Sequence, residues 1–110
     1  MTLTSRNPYT GEINATYETL TDTEITTVIE QAHETYLTRR DTPRSEKKAL
    51  FLKFADLLDE RNEEMARLET IEMGMLYHAS KAGLRKTADL IRRNANNFEE
   101  ILSNESIDSE

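Results

Sequence analysis

The sequence predicts a mainly α-helical chain that begins with a β-hairpin and continues with about four helices. Three features lead to this prediction. A turn containing Pro and Gly precedes alternating apolar and polar residues, the rest of the chain repeats apolar residues at three- and four-residue steps, and helix start and stop signals separate these repeats. A chain of 110 residues has room for one hydrophobic core.

The hairpin is predicted from the stretch NPYTGEIN at residues 7–14. Pro8 fixes φ near the value required in a tight turn, and Gly11 adopts positive φ without steric cost, so the chain should reverse here. Residues 3–6 would form the first strand and residues 13–18 the second. Because an isolated two-stranded hairpin is only marginally stable, we expect it to form the edge of a larger α/β body.

The first helix has an N-terminal signature. Thr21 is placed as the N-cap with Glu24 three residues later, which is the pattern of a capping box. Leu20 and Ile25 flank this box as a hydrophobic staple. The helix should end near Arg39, whose charge complements the helix dipole. Its apolar residues form one stripe: Ile25, Val28, Ile29, Ala32 and Tyr36.

Two further helices follow. Thr42 and Pro43 are typical of a cap and a first helical residue, so the second helix should begin there. Asn62 is placed as the cap of a third helix, which Gly74 should end. The apolar residues are Leu50, Phe51, Phe54, Leu57 and Leu58 in the second helix, and Met65, Leu68, Ile71 and Met73 in the third.

The last helix is predicted over residues 77–102, with Gly83 as a local weak point. Its apolar residues are Leu84, Leu90, Ile91, Ala95, Phe98 and Ile101. Residues 103–110 contain one apolar residue and three acids, which is typical of a solvated tail or a linker. We therefore divide the chain into a single hairpin-and-helices segment, residues 1–102, and an acidic tail or truncated linker, residues 103–110.

Composition argues against several classes of function. The net charge of −7 makes nucleic acid an unfavourable partner, because phosphate binding draws on a surplus of Lys and Arg. No apolar run approaches the ~20 residues of a membrane-spanning helix, so we expect no membrane anchor and a cytoplasmic location. The chain contains no cysteine, which excludes disulfides, thiolate metal ligands and a thiol nucleophile within it.

Candidate metal and modification sites are few. Glu30 and His33 form an E-x-x-H pair on the first helix, a spacing used in di-iron bundles, but such a site needs a second pair and further carboxylates. His78 has no partner at that spacing, so we expect a solvated helix face and no metal site. The glycosylation patterns at Asn14 and Asn104 come with no signal peptide and are given no role.

Basic residues cluster on the last helix: Lys81, Arg85, Lys86, Arg92 and Arg93. Asp89 lies four residues from both Arg85 and Arg93, so a salt-bridged helix face is expected rather than a phosphate site. A group of methionines is expected to fill the core rather than to form a binding groove: Met65, Met73 and Met75. We assign no residue of this chain as catalytic, cofactor-binding or metal-binding.

Four segments, in this order and at this spacing, resemble the NAD(P)-dependent aldehyde dehydrogenases, in particular their succinate-semialdehyde dehydrogenase-like branch. They are NPYTGE at residues 7–12, LTDTEI at residues 20–25, ALFLKFADLLDERNEEMARLETIEMG at residues 49–74 and ANNFEEIL at residues 95–102. The chain is similar, over nearly its whole length, to the N-terminal part of such an enzyme. The resemblance implies a peripheral hairpin and helices that pack on the dinucleotide-binding domain of an α/β dehydrogenase.

The resemblance also implies that the catalytic groups lie elsewhere. The family uses a cysteine thiolate, a general-base carboxylate, an oxyanion-binding Asn and a βαβ sheet that holds NAD or NADP. This chain has no cysteine and no G-x-G-x-x-G motif, so no catalytic or cofactor residue is carried over to it. We expect an inactive N-terminal fragment, without cofactor, of a parent that oxidises an aldehyde such as succinate semialdehyde.

Two hypotheses follow. In the first, the partner of the chain is the remainder of the dehydrogenase, or a second copy met through exposed apolar helix faces. In the second, the chain is a complete small helical protein-interaction module whose helices close on themselves. The two differ in exposed apolar surface, which only the first predicts.

Overall fold

The computed structural model describes residues 2–107 and has the predicted architecture, a two-stranded hairpin followed by helices. The elements are β1 (Thr2–Arg6), β2 (Ile13–Glu18), α1 (Asp22–Arg39), α2 (Arg44–Glu60), α3 (Asn62–Met73), α4 (Tyr77–Asn96) and α5 (Phe98–Ile101). α2 and α3 both pack on α4, whereas α1 contains no buried residue. Of the predicted acidic tail, residues 103–107 form no helix or strand, and residues 108–110 lie outside the described residues.

The hairpin and its turn are as predicted. β1 and β2 pair antiparallel, and Gly11 has a φ of +74°. The side-chain oxygen of Asn7 accepts hydrogen bonds from the backbone N–H groups of Tyr9 and Thr10, at 2.9 and 3.3 Å. The sheet in residues 2–107 has these two strands alone, so the role of the hairpin as the edge of a larger α/β body stays a prediction.

Three hydrogen bonds attach the hairpin to the C-terminal end of α3, and in one of them the Ser5 hydroxyl donates to the Glu72 carboxylate at 2.9 Å. Asn14 is the extra residue of a β-bulge in β2, and its side chain donates to the carbonyl of Ile71 at 3.0 Å. The hydroxyl of Tyr9 donates to the carbonyl of Gly74 at 3.0 Å. The bulge thus directs a side-chain amide towards a helix end, which is a common use of bulges.

α1 begins with the predicted capping box. Thr21 Oγ1 accepts from the backbone N–H of Glu24 at 3.3 Å, and the Glu24 carboxylate accepts from the backbone N–H of Thr21 at 2.8 Å. The backbone hydrogen bond from Thr21, with a smaller effect of the Thr21 hydroxyl, lowers the pKa of Glu24. Leu20 and Ile25 are both exposed, and the staple between them stays a prediction.

Two predicted N-caps are wrong. α2 begins at Arg44, and Pro43 is itself the N-cap residue, with φ −52° and ψ 141° and no side-chain capping bond. Because the Pro43 carbonyl accepts the first helical hydrogen bonds, Thr42 lies one residue too early to cap. Asn62 is the first residue of α3, and its side-chain amide donates to the Lys81 carbonyl at 3.0 Å instead of capping.

The predicted last helix is interrupted at Asn97. This residue has φ −96° and ψ 12°, outside the α region, although its N–H donates to the Arg93 carbonyl at 3.1 Å and its carbonyl accepts from the Ile101 N–H at 2.9 Å. α4 therefore ends at Asn96, and α5 is a single turn. The end of α3 is as predicted, since Gly74 is its C-cap in the left-handed conformation, with φ +72°.

The buried core is small and consists mainly of alanine. Its apolar members are Ala55, Leu58, Ala66, Leu84, Ala88 and Ala95. Met65 packs against this core as predicted. Met73 and Met75 are exposed, so their predicted place in the core is wrong; they lie at the end of α3 and in the link to α4, beyond the stretch where the helices pack.

The chain exposes more surface than a compact chain of its mass. Its accessible surface is 9296 Å², whereas a compact protein of 12.7 kDa exposes about 6,200 Å². The radius of gyration is 19.6 Å, against about 13 Å for a compact domain of this length. About 3,000 Å² of surface is therefore without the cover that a self-contained fold provides.

Candidate functional site

An apolar groove runs along the outer face of α2. It consists of three open depressions of about 240, 290 and 310 Å³, joined by the rings of Phe51 and Phe54. Both rings are 50% exposed. We call this surface the α2 groove and define it by Leu50, Phe51, Phe54, Leu57, Ile91 and Phe98.

The groove results from the wide apolar arc of α2. Ala55 and Leu58 occupy the part of this arc that faces α4 and are buried. Phe54 precedes Ala55 and Leu57 precedes Leu58, and both side chains lie outside the contact with α4 and remain exposed. An apolar arc this wide requires cover on two sides, and α4 covers only one. The remaining side of α2 is an exposed apolar surface of the kind that marks interaction sites.

The polar margin of the groove is positively charged. Arg39, Lys47 and Arg61 line it, and no carboxylate does. None of these three cations forms an ion pair with another residue in the range 2–107. In a chain of net charge −7, a positive margin around apolar rings favours a partner surface that combines apolar side chains with carboxylates.

A second apolar surface lies on α1. We call it the α1 stripe; it is the predicted set of Ile25, Val28, Ile29, Ala32 and Tyr36, none of which is buried. Ile29 is 64% exposed. An amphipathic helix is stabilised mainly by packing of its apolar face, and this stripe is uncovered among the residues that the structure describes.

The predicted basic cluster is partly used within the chain. Arg92 pairs with three carboxylates, at 2.7, 2.7 and 3.6 Å: Asp56, Asp59 and Asp89. These contacts, the hydrogen bond to Asp56 first, raise the pKa of Arg92. Asp89 therefore pairs with Arg92, and the predicted i,i+4 pairs of Asp89 with Arg85 and Arg93 do not form among the residues that the structure describes.

The other part of the cluster borders an open depression of about 460 Å³ beside Tyr77. Lys81 Nζ donates to the Glu63 carboxylate at 2.7 Å, and this hydrogen bond raises the pKa of Lys81 and lowers the pKa of Glu63. The Lys81 ammonium and the Arg67 guanidinium lie 5.5 and 5.6 Å from the centre of the Tyr77 ring. Lys81 is thus engaged with an acid and an aromatic ring of the chain itself, and Arg67 with the same ring.

The E-x-x-H pair lies on the exposed surface of α1. Glu30 and His33 are both exposed, and the ring of His33 lies 6.4 Å from that of Tyr36. Within the described range 2–107, no group of three or more His, Asp or Glu residues is placed to hold a metal ion. Over the same range, no helix combines the length and the apolar character needed to cross a membrane.

Two contacts that shape the surface were not predicted from the sequence. Asn62 joins α3 to α4 through the Lys81 carbonyl, and Lys47 Nζ donates to the Arg40 carbonyl at 2.8 Å across the link between α1 and α2. Both acceptors are backbone carbonyls at positions fixed by tertiary structure. A residue pattern carries no signal for such acceptors, so these contacts emerge only from the fold.

Sequence comparison places the chain among known proteins. Residues 1–110 match the sequence model of the aldehyde dehydrogenase family. A succinate-semialdehyde dehydrogenase [NADP(+)] from Deinococcus radiodurans is 36% identical over 85 residues, which are 77% of this chain and 18% of that enzyme. The corresponding enzyme from Mycobacterium avium is 33% identical over 110 residues, covering 99% of this chain and 23% of the enzyme.

The fold agrees with these relatives. The crystal structure of an NADP-dependent glyceraldehyde-3-phosphate dehydrogenase from Bacillus halodurans, in complex with NADP, matches with a TM-score of 0.83 and 25% identity, over 88% of this chain and 20% of that chain. The chain spans about a fifth of the length of the enzymes that it matches. With the family model matched along all 110 residues, the chain belongs to the aldehyde dehydrogenase family.

Proposed function

We propose that the chain is the N-terminal segment of an NADP-dependent succinate-semialdehyde dehydrogenase-like enzyme, in which it docks on the remainder of the polypeptide and carries no catalytic group. The observation that supports this most directly is the uncovered apolar surface of a chain whose relatives are several times longer. Residues 1–102 would be the docking segment and residues 103–110 its acidic linker. We also propose a cytoplasmic location and no nucleic-acid partner, the latter in view of the net charge of −7.

The division of labour follows from the chemistry. Oxidation of an aldehyde through a covalent intermediate requires a nucleophile, and this chain of 110 residues contains no cysteine to provide a thiolate. The nucleophile, the general base and the NADP-binding sheet would therefore belong to the remainder. The role of this segment would be to pack against the remainder, so that the apolar surfaces of both parts are buried.

The surfaces available for this docking are distributed over the whole segment. The α2 groove and the α1 stripe provide helical faces, and the hairpin exposes Leu3, Ile13 and Tyr17. A hairpin with exposed apolar side chains and free strand edges suits addition to the edge of a larger sheet. When the remainder is absent, we propose that the same apolar faces lead the chain to self-associate.

A chimeric enzyme tests the docking role. The matching segment of the Mycobacterium avium enzyme is replaced by this chain, and NADPH formation is followed with succinate semialdehyde as substrate. We expect the chimera to oxidise the aldehyde, and the isolated chain and the enzyme lacking the segment to be inactive. Reduction of NADP by the isolated chain would contradict the proposal.

Two matched variants locate the docking surface. Phe54→Asp places a carboxylate within the α2 groove, whereas Lys53→Asp places one at an exposed neighbouring position of the same helix. A buried unpaired carboxylate is strongly unfavourable. The yield of soluble active enzyme should therefore fall strongly for the chimera with Phe54→Asp and should not fall for the chimera with Lys53→Asp. Equal activity of the two chimeras would show that the groove faces solvent in the complete enzyme.

A further inference from the structure

We infer that two copies of this chain pair by exchanging α1, so that the α1 stripe of each copy lies in the α2 groove of the other. The inference rests on the self-association proposed above for the chain without its remainder, and it names the two surfaces that meet. The resulting assembly is a two-fold symmetric dimer in which the same contact occurs twice.

The two surfaces match in kind and in length. α1 has 18 residues and α2 has 17, so their axes are about 27 and 26 Å long. The α1 stripe presents branched aliphatic side chains on one face, and the α2 groove presents the rings of Phe51 and Phe54 with open volume between them. A helix lying in an apolar groove is one of the recurrent modes of helix recognition.

The charges of the two surfaces are opposite. α1 contains the acids Asp22, Glu24, Glu30 and Glu34 and a single arginine, so its net charge is −3. Apart from Glu24 in the capping box, these acids have no ion pair or side-chain hydrogen bond with another residue in the range 2–107. The margin of the α2 groove carries only cations, of which Lys47 and Arg61 lie on or next to α2. Association is therefore favoured electrostatically as well as by apolar burial.

The link between α1 and α2 favours exchange over closure within one chain. We call residues 40–43 the elbow. Lys47 Nζ donates to the Arg40 carbonyl at 2.8 Å, and the backbone N–H of Thr42 donates to the Arg39 carbonyl at 3.0 Å. With these bonds in place, no residue of α1 is buried against its own α2 groove. Folding α1 back onto that groove would break them, whereas receiving α1 from a second copy leaves the elbow as it is.

The uncovered area is sufficient for such a dimer. A stable interface covers about 800 Å² on each partner, and each chain here exposes about 3,000 Å² more than a compact chain of its mass. One exchanged helix therefore accounts for only part of the excess. The dimer is thus compatible with further apolar surface left open for the remainder of an enzyme.

Light scattering on the isolated 110-residue chain tests the dimer. We expect a particle of twice the chain mass of 12.7 kDa. Ile29→Glu introduces a carboxylate into the α1 stripe and should raise the dimer dissociation constant at least about 10-fold. Gln31→Glu makes the same change of charge on α1 outside the stripe and should leave the mass unchanged. Since neither residue is buried, circular dichroism should show both variants folded.

Disulfide trapping tests which surfaces meet. The chain has no cysteine, so single cysteines report one contact each. A tagged chain with Ile29→Cys is mixed with an untagged chain carrying Phe54→Cys, and oxidation should link the two. A tagged chain with Gln31→Cys serves as the matched control and should link to the Phe54→Cys chain far less.

Four outcomes would overturn the inference. They are a monomer at all concentrations, aggregates without fixed stoichiometry, a dimer unaffected by Ile29→Glu, and equal trapping of both cysteine pairs. The chimeric enzyme described above does not depend on any of these results, so failure of the exchange and failure of the dehydrogenase assignment are distinguishable.

Discussion

Substitution of Gly74 tests whether the hairpin rests on the helices in solution as it does in the structure. Gly74 has a φ of +72°, and a Cβ built on it would lie 3.0 Å from Pro8 Cγ and 3.2 Å from Tyr9 Cε2. Gly74→Ala therefore has two costs. The left-handed conformation costs an L-residue about 1–2 kcal/mol. Displacement of the Tyr9 ring also removes the hydrogen bond from its hydroxyl to the Gly74 carbonyl, worth about 1 kcal/mol net.

Gly11 provides a matched control. Its φ is +74°, but a Cβ at this position would meet nothing within 4 Å. Gly11→Ala should thus lower the free energy of unfolding by about 1–2 kcal/mol. Gly74→Ala should lower it by about 2–3 kcal/mol, and the difference measures the hairpin contact. Tyr9→Phe should lower stability in the wild-type chain and have no further effect when combined with Gly74→Ala, because the bond is then already lost.

Urea unfolding followed by far-ultraviolet circular dichroism is the appropriate assay. Protein concentration must be the same for all variants, since self-association contributes to apparent stability. Equal losses for the two glycine variants, together with additive effects of Tyr9→Phe and Gly74→Ala, would refute the reasoning. The Tyr9 contact would then be absent in solution, and the hairpin would be attached to α3 only through Ser5 and Asn14.

Four further predictions concern the helices. Thr21→Ala should destabilise α1 by about 1 kcal/mol, seen as lost helical dichroism, and an unchanged signal would show that the capping box is not formed. Because folding lowers the pKa of Glu24, the ionised carboxylate stabilises the helix above the ordinary glutamate pKa, and this stabilisation is lost as pH falls through the lowered pKa. The loss of helicity in acid should therefore be smaller in Thr21→Ala than in the wild-type chain, and equal losses would contradict this. Gly83→Ala should raise the free energy of unfolding by up to ~1 kcal/mol, since its Cβ would meet nothing within 4 Å, and a destabilised variant would contradict that. Arg92→Gln should lower the unfolding temperature, by less at high salt, and a salt-independent loss would indicate a cause other than the ion pairs.

The sequence was sufficient to predict features that depend on neighbouring residues. The hairpin turn at Gly11, the capping box at Thr21 and the helix end at Gly74 were all predicted, because each is decided by the conformational preference of one residue and its nearest neighbours. The helix break at Asn97 and the capping role of Pro43 were missed. Both are one-residue choices between similar local conformations, and such choices are decided by packing that a single sequence does not display.

The exposed apolar face of α2 was predicted only in outline. Periodicity identified Phe51, Phe54 and Leu58 as members of one apolar face, but it did not say which of them would face α4. In the structure, Leu58 and the small Ala55 meet α4, while the two rings remain half exposed. The choice depends on how closely two helices approach, and this distance is a property of both helices together.

The composition of the core explains why the segment can fold and yet remain incomplete. Four of the six buried apolar residues are alanines, Ala55, Ala66, Ala88 and Ala95, which allow the helices to lie close together but bury little apolar area each. Leu58 and Leu84 are the large apolar side chains that are buried, whereas Phe51 and Phe54 on α2 remain half exposed. Cover of these exposed side chains by another surface would bury further apolar area and stabilise the segment. We therefore interpret the exposed apolar pattern of this sequence as an interface, and the partner that we propose for it is a longer dehydrogenase polypeptide or, in its absence, a second copy.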